Sequence, residues 1–329
     1  MKKQITAGVL GMAAVAGMMT MVAMTARGGL TGTINIDGSS TVGPISMAVA
    51  EDFRSEAPEV RVTVGISGTG GGFKRFVKGD TDISDASRPI KKEEAEQAKA
   101  GGVEYIELPV GYDGISIVVN PSNYWCETLT MDDVQKIFLA DSKVKTWKDL
   151  HTDWPDREIK IFAPGTDSGT FDYFKEVVAK NGSIRSDMSV SEDDNVLVKG
   201  VEGDEGAIGF FGFAYYVENK DALKIVKIDA GKGAIEPSHK TIEDGTYAPF
   251  SRPLFIYVNK ASAARPEVQA FVNFYLTKGP ALVEEVGYVK LPSEITDRAK
   301  ANFKAMKTGT QFTDAEGKEV HGSLGKIYK

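Results

Sequence analysis

Beyond Gly29 the apolar residues of this chain follow two alternating patterns. Runs rich in β-branched and aromatic residues occur at 60–66 (VRVTVGI), 103–110 (VEYIELPV), 114–120 (GISIVVN), 158–164 (EIKIFAP), 206–213 (GAIGFFGF), 223–228 (LKIVKI) and 252–259 (RPLFIYVN), and these predict strands. The segments between them predict helices over 46–56, 72–78, 92–99, 131–140, 170–180 and 266–276. Thr130 with Asp133 has the spacing of a capping box, and Pro266 suits a first helical turn. Alternation of this kind predicts an α/β protein with mostly parallel sheets.

No linker or low-complexity segment cuts the chain, and no internal repeat is visible. Two extended stretches, near 107–120 and 244–259, nevertheless have the character of crossing points. A chain that leaves one lobe at the first and returns at the second divides into lobe I, 30–110 plus 250–329, and lobe II, 111–249. A cleft then lies between the lobes. The end of the chain, from about Lys307, is Gly-rich and polar, and either packs as a strand or stays mobile.

The N-terminus departs from this alternation. Lys2 and Lys3 precede an apolar run from Ile5 to Ala23 that contains Gly8, Gly11 and Gly17, and small residues follow it. This is the pattern of a secretory signal over 1–26, cleaved between Ala23 and Gly29, rather than of a retained membrane helix. No lipid-carrying cysteine follows it, so the expected mature protein is periplasmic and not a lipoprotein. Cys126 is the single cysteine, which excludes an intrachain disulfide, and no histidine near it in sequence suggests a reactive thiol.

With 329 residues, 42% hydrophobic and 26% charged, the chain has the balance of a soluble globular protein and the length for two cores. Its formal net charge of −7 becomes about −9 once Lys2 and Lys3 leave with the signal. That balance argues against nucleic acid or anionic lipid as partners. An anion bound here has to be held by local donors and dipoles.

Three segments supply such donors: DGSSTVGPI from Asp37, SGTGGGFK from Ser67 and PGTDSGTF from Pro164, each running into a predicted helix. A helix N-terminus presents unpaired N–H groups and the positive end of a dipole, and Ser, Thr and Gly add donors without bulk. Ordinary capping explains Ser39, Ser40 and Thr41 taken alone. The glycine run fits neither nucleotide pattern, since Phe73 stands where G-x-G-x-x-G needs glycine and no G-K-[ST] follows. Serine hydrolysis is disfavoured because Gly165 is three residues before Ser168, not two, and the only histidines are His151, His239 and His321. A fourth element, SDASRPI, carries Ser87 and the planar donor fork of Arg88. No Cys or His pair has metal-ligand spacing, and the acidic 191–195 stretch lacks the EF-hand pattern, so neither metal nor cofactor is expected.

Taken in order, IDGSSTVGPI, GISGTGGGFKRFVKGDTDISDASRPI, PVGYDGISIVVNP, PGTDSGTFDYF and EDDNVLVKGVEGDEGAIGFFGFAYY resemble the phosphate-binding protein of bacterial high-affinity ABC phosphate importers, from about Ile36 to Tyr216. The resemblance implies a two-lobed periplasmic-binding-protein type II fold with two hinge crossings. It implies capture of phosphate without catalysis, followed by docking on an ABC permease in the inner membrane. The expected molecule is a monomer.

By position, the resemblance implies phosphate contacts from Thr41 and the Val42 amide with Ser40 adjacent, from Thr69 and Gly70, and from Ser168, Gly169 and Thr170. Two departures stand out. Pro164 occupies the place of an arginine found in many members, and Ser87 with Arg88 stands where they carry an aspartate. Arg88 is therefore expected to supply the guanidinium. The acidic partner is open among Asp85, Asp113, Asp167 and Asp194. That acid bears on selectivity, because a buried carboxylate accepts a hydrogen bond from protonated phosphate and repels sulfate. The alternatives are a receptor for another oxyanion such as sulfate or molybdate, a secreted phosphatase or hydrolase, and a phosphate scavenger without a permease.

Overall fold

The computed structural model describes residues 29–166, 168–180, 182–191, 193–314, 320 and 322–329. The expected export signal over 1–26 and the candidate Asp167 lie outside the described residues. None of the described helices is long and apolar enough to cross a membrane.

The first part of the chain alternates as β1 (Gly32–Gly38), α1 (Gly43–Glu56), β2 (Val60–Ile66), α2 (Thr69–Phe76), β3 (Ile83–Ala86), α3 (Lys92–Ala100) and β4 (Tyr105–Val119). β1 pairs in parallel with β2 on one side and β3 on the other, as strand–helix–strand crossovers require. A second alternating run follows: β5 (Thr128–Thr130), α4 (Met131–Phe138), α5 (Trp147–Leu150), β6 (Lys160–Pro164), α6 (Gly169–Ala179), β7 (Ser189–Ser191), α7 (Asp194–Glu202), β8 (Ala207–Gly212) and α8 (Phe213–Glu218). The short β9 (Lys224–Ile225), β10 (Lys227–Asp229), β11 (Ala234–Ile235) and α9 (His239–Glu243) lead into β12 (Ser251–Asn259). The chain closes with α10 (Lys260–Ala263), α11 (Pro266–Glu285), α12 (Ser293–Lys304) and α13 (Leu324–Ile327).

β4 joins the two halves. Along its first part it pairs antiparallel with β12, from Tyr105 opposite Asn259 to Gly114 opposite Ser251. From Ile115 onward β8 takes over, and β6 and β7 follow in parallel. The order β2-β1-β3-β12-β4-β8-β6-β7 is thus two parallel-edged sheets sharing one long strand. Every residue of β4 is buried, which a strand covered on both faces demands of a near-continuous apolar run. The molecule has two lobes, bridged by β4 going out and β12 coming back.

Each lobe packs its own aromatic centre. In the first, Phe53 of α1 meets Phe271 and Phe274 of α11 edge-on, with ring centres 5.3 and 5.4 Å apart. In the second, Phe174 of α6 stacks on Phe210 of β8 at 3.7 Å. Such pairs contribute about 0.5–1.5 kcal/mol beyond their burial. The capping box at α4 forms as its spacing predicts: Thr130 Oγ1 accepts from the Asp133 amide at 3.1 Å, and Asp133 accepts from the Thr130 amide at 3.0 Å.

Three expectations change in the structure. The runs at 103–110 and 114–120 are a single strand, because Gly111, Tyr112 and Asp113 keep their pairing to β12. The run at 223–228 breaks at Val226, where the chain leaves β4 and joins β5. Over 309–312 the terminal segment packs as an irregular strap: Gly309 donates to the Tyr105 carbonyl at 2.9 Å, and Phe312 is buried edge-on against Phe255. Its anchor is Glu107 on β4, whose carboxylate accepts from Thr310 Oγ1 at 2.6 Å, the Gln311 amide at 3.0 Å and Tyr257 Oη at 2.8 Å.

Candidate anion-binding site

All four candidate segments leave the carboxyl ends of parallel strands. β1 runs into Ser39, Ser40 and Thr41; β2 into the 67–70 turn; β3 into Ser87 and Arg88; and β6 into the turn before α6. Open α/β sheets bind ligands in this position. A pocket of about 240 Å³ is lined there by Ser39, Ser40, Thr41, Gly68, Thr69, Gly70, Ser87, Arg88, Asp172, Tyr173, Glu176 and Arg252.

The glycine run from Thr69 is the first turn of α2, so its amides stay available in the way helix N-termini leave them. Gly68 has φ +75°, a conformation that favours glycine and turns the chain into the helix. Gly72 packs so close to Gly38 that an added Cβ would sit 2.6 Å from its Cα. This contact clamps the two turns together. Thr69 Oγ1 and Ser87 Oγ lie 3.0 Å apart, and the Ser87 amide donates to Thr69 Oγ1 at 3.1 Å.

At the start of α1, Ser39 Oγ accepts from the amides of Thr41 and Val42 at 3.2 and 3.4 Å. Val42 is fully buried and does not line the pocket, whereas Thr41 does. Ser168 caps α6 by accepting from the Thr170 amide at 3.2 Å. Ser168, Gly169 and Thr170 pack behind the wall rather than lining it. A Cβ on Gly169 would lie 2.7 Å from Thr41 Cα, and Thr41 Oγ1 donates to the Gly169 carbonyl at 3.4 Å. Ser40 Oγ donates to Asp172 at 3.1 Å, so α6 and the turn after β1 touch at two points across the cleft.

Arg88 and Arg252 differ in what holds them. Arg88 lines the pocket over the Phe73 ring, but both Nη atoms donate to Glu94 at 2.8 Å and Nη1 also donates to the Pro89 carbonyl. Arg252, on β12, carries no sequence signal beyond its place in a strand. Its Nη2 donates to Thr41 Oγ1 at 3.0 Å and to Asp113 at 3.4 Å, and its Nη1 to Glu176 at 3.2 Å. Its guanidinium lies over the Tyr173 ring, 3.6 Å from the centre. Nε is buried with no protein partner. The residue therefore meets the turn after β1, both bridging strands and α6.

The acidic candidates separate by geometry. Asp113 is fully buried directly opposite Arg252 in the β4–β12 register, with Oδ1 unpartnered. Burial pushes its carboxyl up to about 6, and the adjacent Arg252 charge opposes that rise. Asp85 lies beneath the site, accepting from Ser46 Oγ at 2.9 Å, while its carbonyl accepts from the Ser39 amide. Burial pushes it up to about 7, against the Ser46 bond. Asp194 sits in the first turn of α7 and does not line the pocket. Of the three described candidates, Asp113 is bonded to a pocket-lining cation.

The remaining chemistry of the described chain is away from this pocket. His151 pairs with Asp133 at 3.2 Å, and His239 packs edge-on against Phe213. Neither stands beside a pocket hydroxyl as a general base would. His321 lies outside the described residues. Cys126 is buried, and burial pushes its thiol far up, which fits a packing residue.

Two lobes joined by two extended strands, with a small polar pocket where the lobes touch, define a type II periplasmic binding protein. The PBP superfamily domain model matches residues 23–278, and the chain belongs to that superfamily, in the family of the phosphate-binding proteins. It is 48% identical over 300 residues to protein SphX of Synechococcus elongatus, covering 90% of this chain and 88% of that one. It is 43% identical over 266 residues to the phosphate-binding protein PstS of Staphylococcus saprophyticus, covering 80% and 82%. Among solved structures, a possible phosphate binding protein from Planctomyces limnophilus superposes with a TM-score of 0.81 at 48% identity, over 84% of this chain and 99% of that one.

Proposed function

We propose that this protein captures inorganic phosphate in the periplasm, as a monomer and without chemical conversion, and delivers it to an ABC-type permease. The reading is carried by the convergence of hydroxyls and helix-start amides from Ser39, Ser40, Thr41, Thr69, Gly70 and Ser87 with the Arg252 guanidinium on one small pocket. Such donors match a tetrahedral oxyanion. The family membership and the likeness to PstS support the same ligand.

Arg252 takes the role expected of Arg88, because it bonds Thr41 and keeps an unpartnered Nε, whereas Arg88 is held by both oxygens of Glu94 and by the Pro89 carbonyl. Asp113 is the carboxylate that accompanies it. Ser168, Gly169 and Thr170 act by closing on Thr41. Anion and closure then favour each other, since the contacts of α6 with Ser40, Thr41 and Arg252 join the two lobes.

Isothermal titration of protein stripped of bound anion tests the reading, with phosphate, arsenate, sulfate and molybdate in parallel. Tight, selective heat with phosphate is expected. Heat with sulfate or molybdate alone would move the protein to another oxyanion, and turnover of a chromogenic phosphate ester would make it a hydrolase.

A further inference from the structure

The charges around the pocket do not favour an anion. Two guanidiniums, Arg88 and Arg252, face four carboxylates in direct contact with them or with the lining: Glu94, Asp113, Asp172 and Glu176. An entering oxyanion needs one of these to yield. Glu94 is held at both oxygens by Arg88 and by the Lys91 amide. Asp113 is buried on a central strand and cannot leave without stranding a charge. Asp172 bonds a hydroxyl, not a cation. Glu176 alone combines a direct ion pair to Arg252 with an exposed side chain, 66% accessible against 13% for Arg252.

Building on the phosphate reading, we infer that Glu176 is a resident competitor for Arg252, and that phosphate binds by displacing its carboxylate from Nη1. The exchange is geometrically open. Glu176 lies one helical turn after Asp172 and three residues after Tyr173, so its backbone is fixed by the same helix whose Tyr173 ring holds the guanidinium in place. The carboxylate can rotate into water while Arg252 stays stacked on Tyr173 and bonded to Asp113. An anion seated against Thr41 then finds a guanidinium already oriented. It must outcompete Glu176, so every anion that takes Nη1 binds more weakly by the same factor. Glu176 thus sets the affinity of the site by acting through Arg252.

The test is Glu176→Gln, titrated with phosphate by calorimetry at about 0.1 M and about 1 M salt, where the screening length falls from about 10 Å to about 3 Å. Loss of a competing exposed ion pair should tighten binding about threefold to fivefold, an effect of the opposite sign from structural damage. The gain should shrink at high salt, since an exposed ion pair is itself screened, and Glu176→Asp, which keeps the charge but is too short to reach Nη1, should show most of the same gain. Glu176→Asp that binds phosphate no better than wild type would mean simple long-range repulsion and would overturn displacement. Unchanged or weaker binding by Glu176→Gln would overturn it too. Wild-type protein that gives no phosphate heat would instead remove the parent reading, and this one with it.

Discussion

The guanidinium carbon of Arg252 lies 3.6 Å from the centre of the Tyr173 ring, joining a strand that bridges the lobes to the first helix of the second sheet's cleft wall. Tyr173 is buried, and its hydroxyl donates to the Pro249 carbonyl at 2.7 Å. A desolvated cation–π contact of this kind contributes about 2 kcal/mol. Tyr173→Leu is therefore expected to weaken phosphate binding about tenfold or more by calorimetry, and Tyr173→Phe, which keeps the ring, considerably less. Equal losses in both would assign the effect to the Pro249 bond.

Gly169 is a point of close approach between the lobes. Its missing Cβ would lie within 2.8 Å of the Thr41 amide nitrogen and Oγ1, and both Thr41 and the α6 backbone are locked by their own hydrogen bonds. Gly169→Ala is expected to oppose closure while leaving each lobe intact. Phosphate affinity should fall by about 100-fold or more, on the order of 3 kcal/mol, with the melting temperature of anion-free protein nearly unchanged. Scattering that shows compaction on adding phosphate to this variant would contradict the closure argument.

Glu107 makes stability depend on pH. Burial pushes its carboxyl from 4.5 up to about 7, despite bonds from Thr310, Gln311 and Tyr257 that lower it. The folded state then holds a proton that the unfolded state releases near pH 4.5. Its contribution is fully present below that pH and is lost as pH rises through about 7, in total about 3 kcal/mol. Asp85, pushed up to about 7 in the same way, adds in the same direction. The anion-free protein is expected to melt at a lower temperature at pH 8 than at pH 5.5, and Glu107→Gln should flatten that slope. A melting temperature that climbs steadily with pH would refute both assignments.

Gly38 ends β1 at φ +148°, where a Cβ would stand 2.1 Å from the Asp85 carbonyl. That carbonyl also accepts the Ser39 amide at 2.9 Å, so it cannot withdraw without opening the turn. Gly38→Ala is expected to destabilise the fold by about 2–4 kcal/mol in denaturant unfolding, with phosphate affinity reduced as the turn shifts.

Much of the architecture is legible in the sequence. The strands at 60–66 and 252–259 and the helices beginning at Lys92, Met131 and Pro266 follow period and capping signals that act within a few residues. The hydroxyl-rich turns were legible for the same reason, since Ser, Thr and Gly before an apolar repeat mark a helix start. Arg252 was not. It sits in an apolar run whose register opposite Asp113 depends on a pairing between residues 139 positions apart. Arg88 carried the stronger local signal, yet its fork is taken by Glu94, a residue that sequence reading assigned only to a helix.

The chain by itself determined the α/β alternation, the donor-rich helix starts and the anionic balance that forces any bound anion onto local donors. These are properties of composition and of neighbours within one helical turn. Tertiary structure alone decided which guanidinium faces Thr41, which carboxylate accompanies it and where α6 meets the opposite wall. Those contacts arise where β4 and β12 bring distant segments into register, and their energies exist only once water has been excluded between them.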